Sequence, residues 1–214
     1  MFDVTLSFDN GPDPQATPEV LDCLARRGVL ASFFVVGRRL HVREQRRLAE
    51  RAHAEGHFIG NHSFTHSIPL GERDEPDLPA LEIEAAQQLM AELCHANKWF
   101  RPFGGGGRLD QCLLNRRCAE HLIRERYSCV LWNVVPRDWE DPDGWVERAL
   151  AQCEAQPHSL VVLHDLPTGA MRHLDRFVGE LQTRGASLQQ HFPASCVPIL
   201  RGQLTQPIDR YVAA

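Results

Sequence analysis

A chain of 214 residues with 43% apolar and 24% charged side chains is long enough to bury one sizeable core and is neither disordered nor low in complexity. Its net charge of -5, with Arg26, Arg27, Arg38, Arg39, Arg46 and Arg47 interleaved among acids, argues against nucleic acid as the main partner. No apolar run has membrane-spanning length, and the first residues enter a strand directly, so a cytoplasmic protein is expected.

The first predicted strand covers residues 3–8 and stops abruptly at Asp9, Asn10, Gly11 and Pro12. Thr17 followed by Pro18 reads as an N-cap with proline at the first helical position, and Gly28 ends that helix. A second strand is predicted at 31–36, the arginine-rich stretch 38–51 reads as the solvated face of a helix, and a third strand follows at 57–60. Residues 67–79, with Pro69, Pro76 and Pro79 and five charges, read as a long connection before a fourth strand at 98–101. Residues 102–107, with four consecutive glycines, form a second long connection ahead of a fifth strand at 128–134. Asp143 is placed to cap a helix starting near Gly144, and a sixth strand is expected at 159–164. A helix from about Ala170 closes at Gly185, before a weaker seventh strand at 186–190. Short apolar runs alternating with helical patterns predict βα units around a parallel sheet, in one domain spanning 1–214. The seven cysteines form no CxxC pair and read as reduced, mostly buried thiols. No feature of the pattern specifies an oligomeric state.

Polar residues collect where the apolar strands stop. They are Asp9 and Asn10, the segment from Gly60 to His66, Arg101 and Pro102, Asp138 and Trp139, and His164 and Asp165. In a barrel such ends converge on one pocket. His62 and His66, four residues apart among small polar neighbours, suit a shared divalent metal such as zinc, although two surface histidines would give the same isolated pattern.

SFDNGP, GHFIGNHSFTH, FRPF, RDW and VVLHD, in this order between about residues 3 and 166, resemble the five motifs of the polysaccharide deacetylases, the NodB-homology carbohydrate esterases. The resemblance implies a distorted, TIM-like (β/α) barrel of about seven strands. It implies a hydrolase of carbon–nitrogen bonds other than peptide bonds, an N-deacetylase of an amino sugar with a small-molecule or oligosaccharide substrate. Asp9 would be the general base, Arg101 its ion-pair partner, His164 the general acid and Asp138 the residue orienting that acid. Asn10, His62 and His66 would hold a divalent metal, zinc by choice of ligands, while Phe103, Gly104 and Trp139 would line the substrate and oxyanion region.

Asn10 departs from the family's Asp-Asp pair and brings no negative charge to the ion, so weaker metal binding is expected. Three readings follow: a metal-dependent deacetylase with a weakened site, a metal-independent amide hydrolase similar to allantoinase-like relatives, or an inactive sugar-binding module. Val135 stands where the fourth motif often has an acid. The third motif usually continues with a proline, an aromatic and one glycine, whereas here Pro102 and Phe103 are followed by four glycines, Gly104 to Gly107, which read as a flexible connection or as backbone exposed for close ligand approach.

Overall fold

The computed structural model describes residues 2–213. The described residues form nine strands: β1 Phe2–Asp9, β2 Ser32–Val35, β3 Phe58–Asn61, β4 Trp99–Phe100, β5 Ser128–Cys129, β6 His158–His164, β7 Ala186–Gln189, β8 Ile199–Leu200 and β9 Gln203–Leu204. The sheet runs β6-β1-β2-β3-β4-β5-β8-β9, parallel from β6 to β5, and ends in the antiparallel β8–β9 hairpin. Along one side β1 pairs with β6 from Asp3 to Asp9. Its first half also pairs with β7 and its last three residues with β2. The six α-helices are α1 Ala16–Arg27, α2 Arg43–Ala54, α3 Ala85–Leu89, α4 Arg116–Arg124, α5 Trp145–Glu154 and α6 Leu174–Thr183.

Period-two alternation decides what each strand shows to either side. In β1, Val4, Leu6 and Phe8 join a core with Val20, Leu21 and Leu24 of α1 and Leu174, Phe177 and Leu181 of α6. Each such fully buried side chain stabilises the fold by about 1.5–3 kcal/mol. The alternate residues Thr5, Ser7 and Asp9 are also buried but point the other way. β2 repeats the division, with Phe33 and Val35 in the helix-side core and Phe34 in a separate inner cluster with Trp99 and Leu160. In β1 the apolar face therefore holds the helices, which leaves its inner face to Thr5, Ser7 and Asp9.

The predicted strand at 128–134 is a strand only at Ser128–Cys129. Beyond it the chain leaves β4, where the Val130 amide donates to the Phe100 carbonyl (2.8 Å), and reaches β6, where the Val162 amide donates to Val134 (3.0 Å). One segment closing the gap between two strands cannot follow either in register. The β8–β9 hairpin and the helical stretch 79–89 carry no prediction above, the latter because Pro76 and Pro79 read as loop. Two caps also differ. Asp13, not Thr17, accepts the amides of Gln15 and Ala16 (2.9 and 3.1 Å), and Asp141, not Asp143, accepts the Gly144 amide (2.9 Å). Gly28 adopts φ 64° and closes α1 as expected. All seven cysteines are free thiols, and six are buried. No helix among the described residues is long and apolar enough to cross a membrane.

Candidate active site

The chain segments at and beyond β1, β3, β4, β5 and β6 line one cavity of about 310 Å³, to which Asp9, Asn10, His62, His66, Phe103, Gly104, Trp139 and His164 all contribute. Arg101 and Asp138 are fully buried one layer behind it, each bonded to a residue that lines it.

Asp9 and Arg101 form the first of two charged pairs. The Arg101 Nη1 donates to Asp9 Oδ1 (2.7 Å) and to Ser7 Oγ (2.8 Å). Its Nε and Nη2 donate to the carbonyls of Val130 and Leu131 (3.3 and 3.2 Å), and its guanidinium lies 3.9 Å from the Phe34 ring centre. A planar fork that donates four hydrogen bonds and stacks on an aromatic ring cannot be replaced by a lysine point charge. Ser7 was not singled out from sequence, yet the alternation Thr5, Ser7, Asp9 inside an apolar strand is its signal.

The second pair joins Asp138 to His164. Asp138 Oδ1 lies 2.8 Å from His164 Nδ1, and Asp138 Oδ2 accepts the His164 backbone amide (2.9 Å), so ring and backbone are fixed by one carboxylate. Burial draws the imidazole pKa down, but the Asp138 hydrogen bond and the charges of Asp138, Asp9 and Asp165 outweigh it and leave the pKa above its ordinary value. Trp139 packs edge-on against the ring at 4.9 Å. Asp9 and His164 are register partners on the adjacent strands β1 and β6.

His62 and His66 lie between these pairs, their ring centres 4.6 Å apart. His62 Nδ1 sits 2.8 Å from the Arg101 carbonyl, which assigns the ring proton to Nδ1 and leaves Nε2, 3.6 Å from Asp9 Oδ2, with its lone pair. The His66 ring packs on Phe103 at 4.0 Å. Burial holds both imidazoles down at about 3, so they are neutral at pH 7. Asn10 takes φ 75°, a left-handed conformation that Asn tolerates, and its buried Oδ1 has no hydrogen-bond partner. Among the described residues, no three His, Cys, Asp or Glu side chains gather as a metal-binding group, and the residue that follows Asp9 beside the two imidazoles is an amide, Asn10.

The glycine run is not a slack connection. A Cβ on Gly104 would come within 2.4 Å of Trp132, whose indole donates to the Gly107 carbonyl (3.2 Å), and the Arg108 amide closes the turn on Gly104 (2.8 Å). Among the described residues, neither the Phe103 nor the Gly104 amide donates a hydrogen bond to another protein group. Behind the site, Asp165 packs so tightly on Gly11 that a Cβ there would meet its Oδ2 at 2.1 Å. Thr17 Oγ1 donates to Asp165 Oδ2 (2.5 Å), Asp165 Oδ1 has no partner, and burial pushes this carboxyl up to about 7. Thr17, read from sequence as a cap, serves this contact instead.

A sequence model of the polysaccharide deacetylases matches residues 2–117. The chain belongs to the polysaccharide deacetylase family. A chitooligosaccharide deacetylase of Rhizobium leguminosarum bv. phaseoli is 36% identical over 165 residues, which span 75% of this chain and 66% of that relative. Among solved structures of the family, a peptidoglycan N-acetylglucosamine deacetylase in complex with 4-naphthalen-1-yl-N-oxidanyl-benzamide superposes with a TM-score of 0.73 at 26% identity, covering 88% of this chain and 85% of that one. A family 4 carbohydrate esterase from Streptomyces lividans, in complex with acetate, gives a TM-score of 0.75 at 23% identity over 92% of this chain and 96% of its own, a likeness of fold. The expected distorted barrel of this family is the fold observed.

Proposed function

We propose that this polysaccharide deacetylase family member hydrolyses the N-acetyl amide of an amino sugar in a small or oligosaccharide substrate. The observation that carries the reading is that a fixed carboxylate, Asp9, and a protonatable imidazole, His164, reach one cavity from adjacent strands, each held by its own buried partner.

Asp9 takes a proton from the attacking water, and the hydrogen bond from Arg101 keeps its carboxylate aimed. Phe103 and Gly104 offer free backbone amides to the oxygen on which charge develops; removing one such donor costs about 3–4 kcal/mol of barrier. His164, protonated and steered by Asp138, gives its proton to the departing amine, and Trp139 shields that imidazole from water. Two neutral imidazoles and an unpartnered buried amide oxygen are a donor set that fits a divalent ion, so His62, His66 and Asn10 would hold it, with zinc the ion favoured by imidazole ligands. When bound, the ion lowers the pKa of a water and polarises the amide carbonyl. Asn10 supplies no charge, which favours weak binding and keeps a metal-independent amide hydrolase as the second reading.

Acetate release from N-acetylated chitooligosaccharides, measured with chelator and with added zinc, tests the proposal. Zinc-stimulated release that Asp9→Asn abolishes is expected. Equal release under both conditions supports the metal-independent reading, and binding of the sugar with no release under either identifies an inactive module.

A further inference from the structure

The loop carrying His62 and His66 is bent sharply, with Ser63 at φ 63° and His66 at φ 50°, both left-handed and neither glycine. Such backbone persists only where its surroundings fix it. Part of the hold comes from the 3-10 turn Gly37–His41 that follows β2, where the amides of Gly37 and Arg38 donate to the carbonyls of Ser63 and Phe64 (2.9 and 3.0 Å). The loop's own amides at Phe64 and Thr65 both donate to a single carboxylate oxygen, Glu82 Oε2 (3.1 and 2.9 Å). The other oxygen of Glu82 accepts the Thr65 hydroxyl (2.6 Å) and Arg73 Nη1 (2.6 Å). Glu82 is 3% exposed and lies on the π-helical turn Pro79–Glu84, outside every motif read from the sequence.

We infer that Glu82 is the positioning residue of the His62–His66 pair: its buried carboxylate gathers the inter-histidine loop through three hydrogen bonds, and Arg73 balances its charge. This rests on the reading of His62 and His66 as metal ligands. Without Glu82, two part-buried amides and a hydroxyl lose their acceptor, the turn between the histidines relaxes, and the imidazoles are no longer set at one spacing. A π-helical turn widens the helix by one residue, and here that widening coincides with the carboxylate that reaches the loop.

Glu84 provides the control, because it sits on the same turn and its Oε1 meets His121 Nε2 and Tyr127 Oη (both 2.8 Å), away from the histidine loop. In the full chain, Glu82→Ala and the isosteric Glu82→Gln are compared with Glu84→Ala by zinc competition against a chromophoric chelator. The exchange rates of the Phe64 and Thr65 amides are followed by NMR in metal-free protein. We expect zinc affinity to fall about 10- to 100-fold in Glu82→Ala, as for other residues that orient ligands. Glu82→Gln should fall less, Phe64 and Thr65 should exchange faster in both, and Glu84→Ala should match the wild type. Wild-type zinc affinity and wild-type exchange in both Glu82 variants overturn the inference, as does an equal loss in Glu84→Ala. A wild-type protein that takes up no zinc removes the metal reading, and the exchange rates then decide whether Glu82 holds the loop.

Discussion

The two sides of the cavity are built from the same materials and behave differently. On the β1 side a carboxylate meets a guanidinium that is fully buried and donates four hydrogen bonds, and a guanidinium does not give up its proton. On the β6 side a carboxylate meets an imidazole that lines the cavity and whose pKa is raised, so its charge comes and goes with a proton. A base needs the first arrangement, since a fixed cation keeps its carboxylate ionised. An acid needs the second, since the proton must leave and return. Burial and choice of cation separate the two roles.

Breaking the permanent side has the largest effect. Arg101→Met leaves Asp9 buried without its cation, and an unpaired buried charge of this kind costs about 3–5 kcal/mol. Chemical denaturation should show that loss, and turnover should vanish with it. Adding charge to the same side sharpens the contrast: Asn10→Asp puts a carboxylate where the unpartnered amide oxygen lies, and zinc affinity by chelator competition should rise about 10- to 100-fold.

The β6 side responds through pH. Asp138→Asn removes the strongest influence raising the His164 pKa, so the imidazole loses its proton at lower pH. The alkaline limb of the rate profile should shift to lower pH, with turnover near neutrality reduced about tenfold or more. A limb that stays in place would mean His164 is not the group that donates.

The smallest effect concerns Asp165, which packs between the two sides against Gly11. Its folded pKa of about 7 lies above the ordinary 3.8, so the stability from its neutral form is fully present below 3.8 and is lost as pH rises through 7. Asp165→Asn, neutral throughout, should raise the melting temperature at pH 8 and change it little at pH 4.

The strands that build these sides were legible because β1, β2, β3 and β6 are apolar runs interrupted by polar residues at their ends. The cavity residues were legible for the same reason: most stand at or just beyond the end of a run, and the barrel brings those ends to one cavity. Residues 130–134 were not, since their pairing passes between two neighbours and leaves no periodic pattern. Glu82 was illegible because nothing distinguishes it from the other acids around it until the helix widens and turns it toward the histidine loop. The caps were misread by two to four residues because Asp and Thr are both good caps, and only the fold reveals that Thr17 is occupied by Asp165.

The pairing of Asp9 with His164 across β1 and β6 has a consequence for how such a hydrolase can change. Neighbouring strands are spaced at about 4.8 Å by their hydrogen-bond ladder, so the spacing of the two backbone positions that carry the proposed base and the proposed acid is set by the sheet itself. The loops beyond the strand ends can lengthen or be rewritten while the register that sets Asp9 beside His164 stays with the sheet.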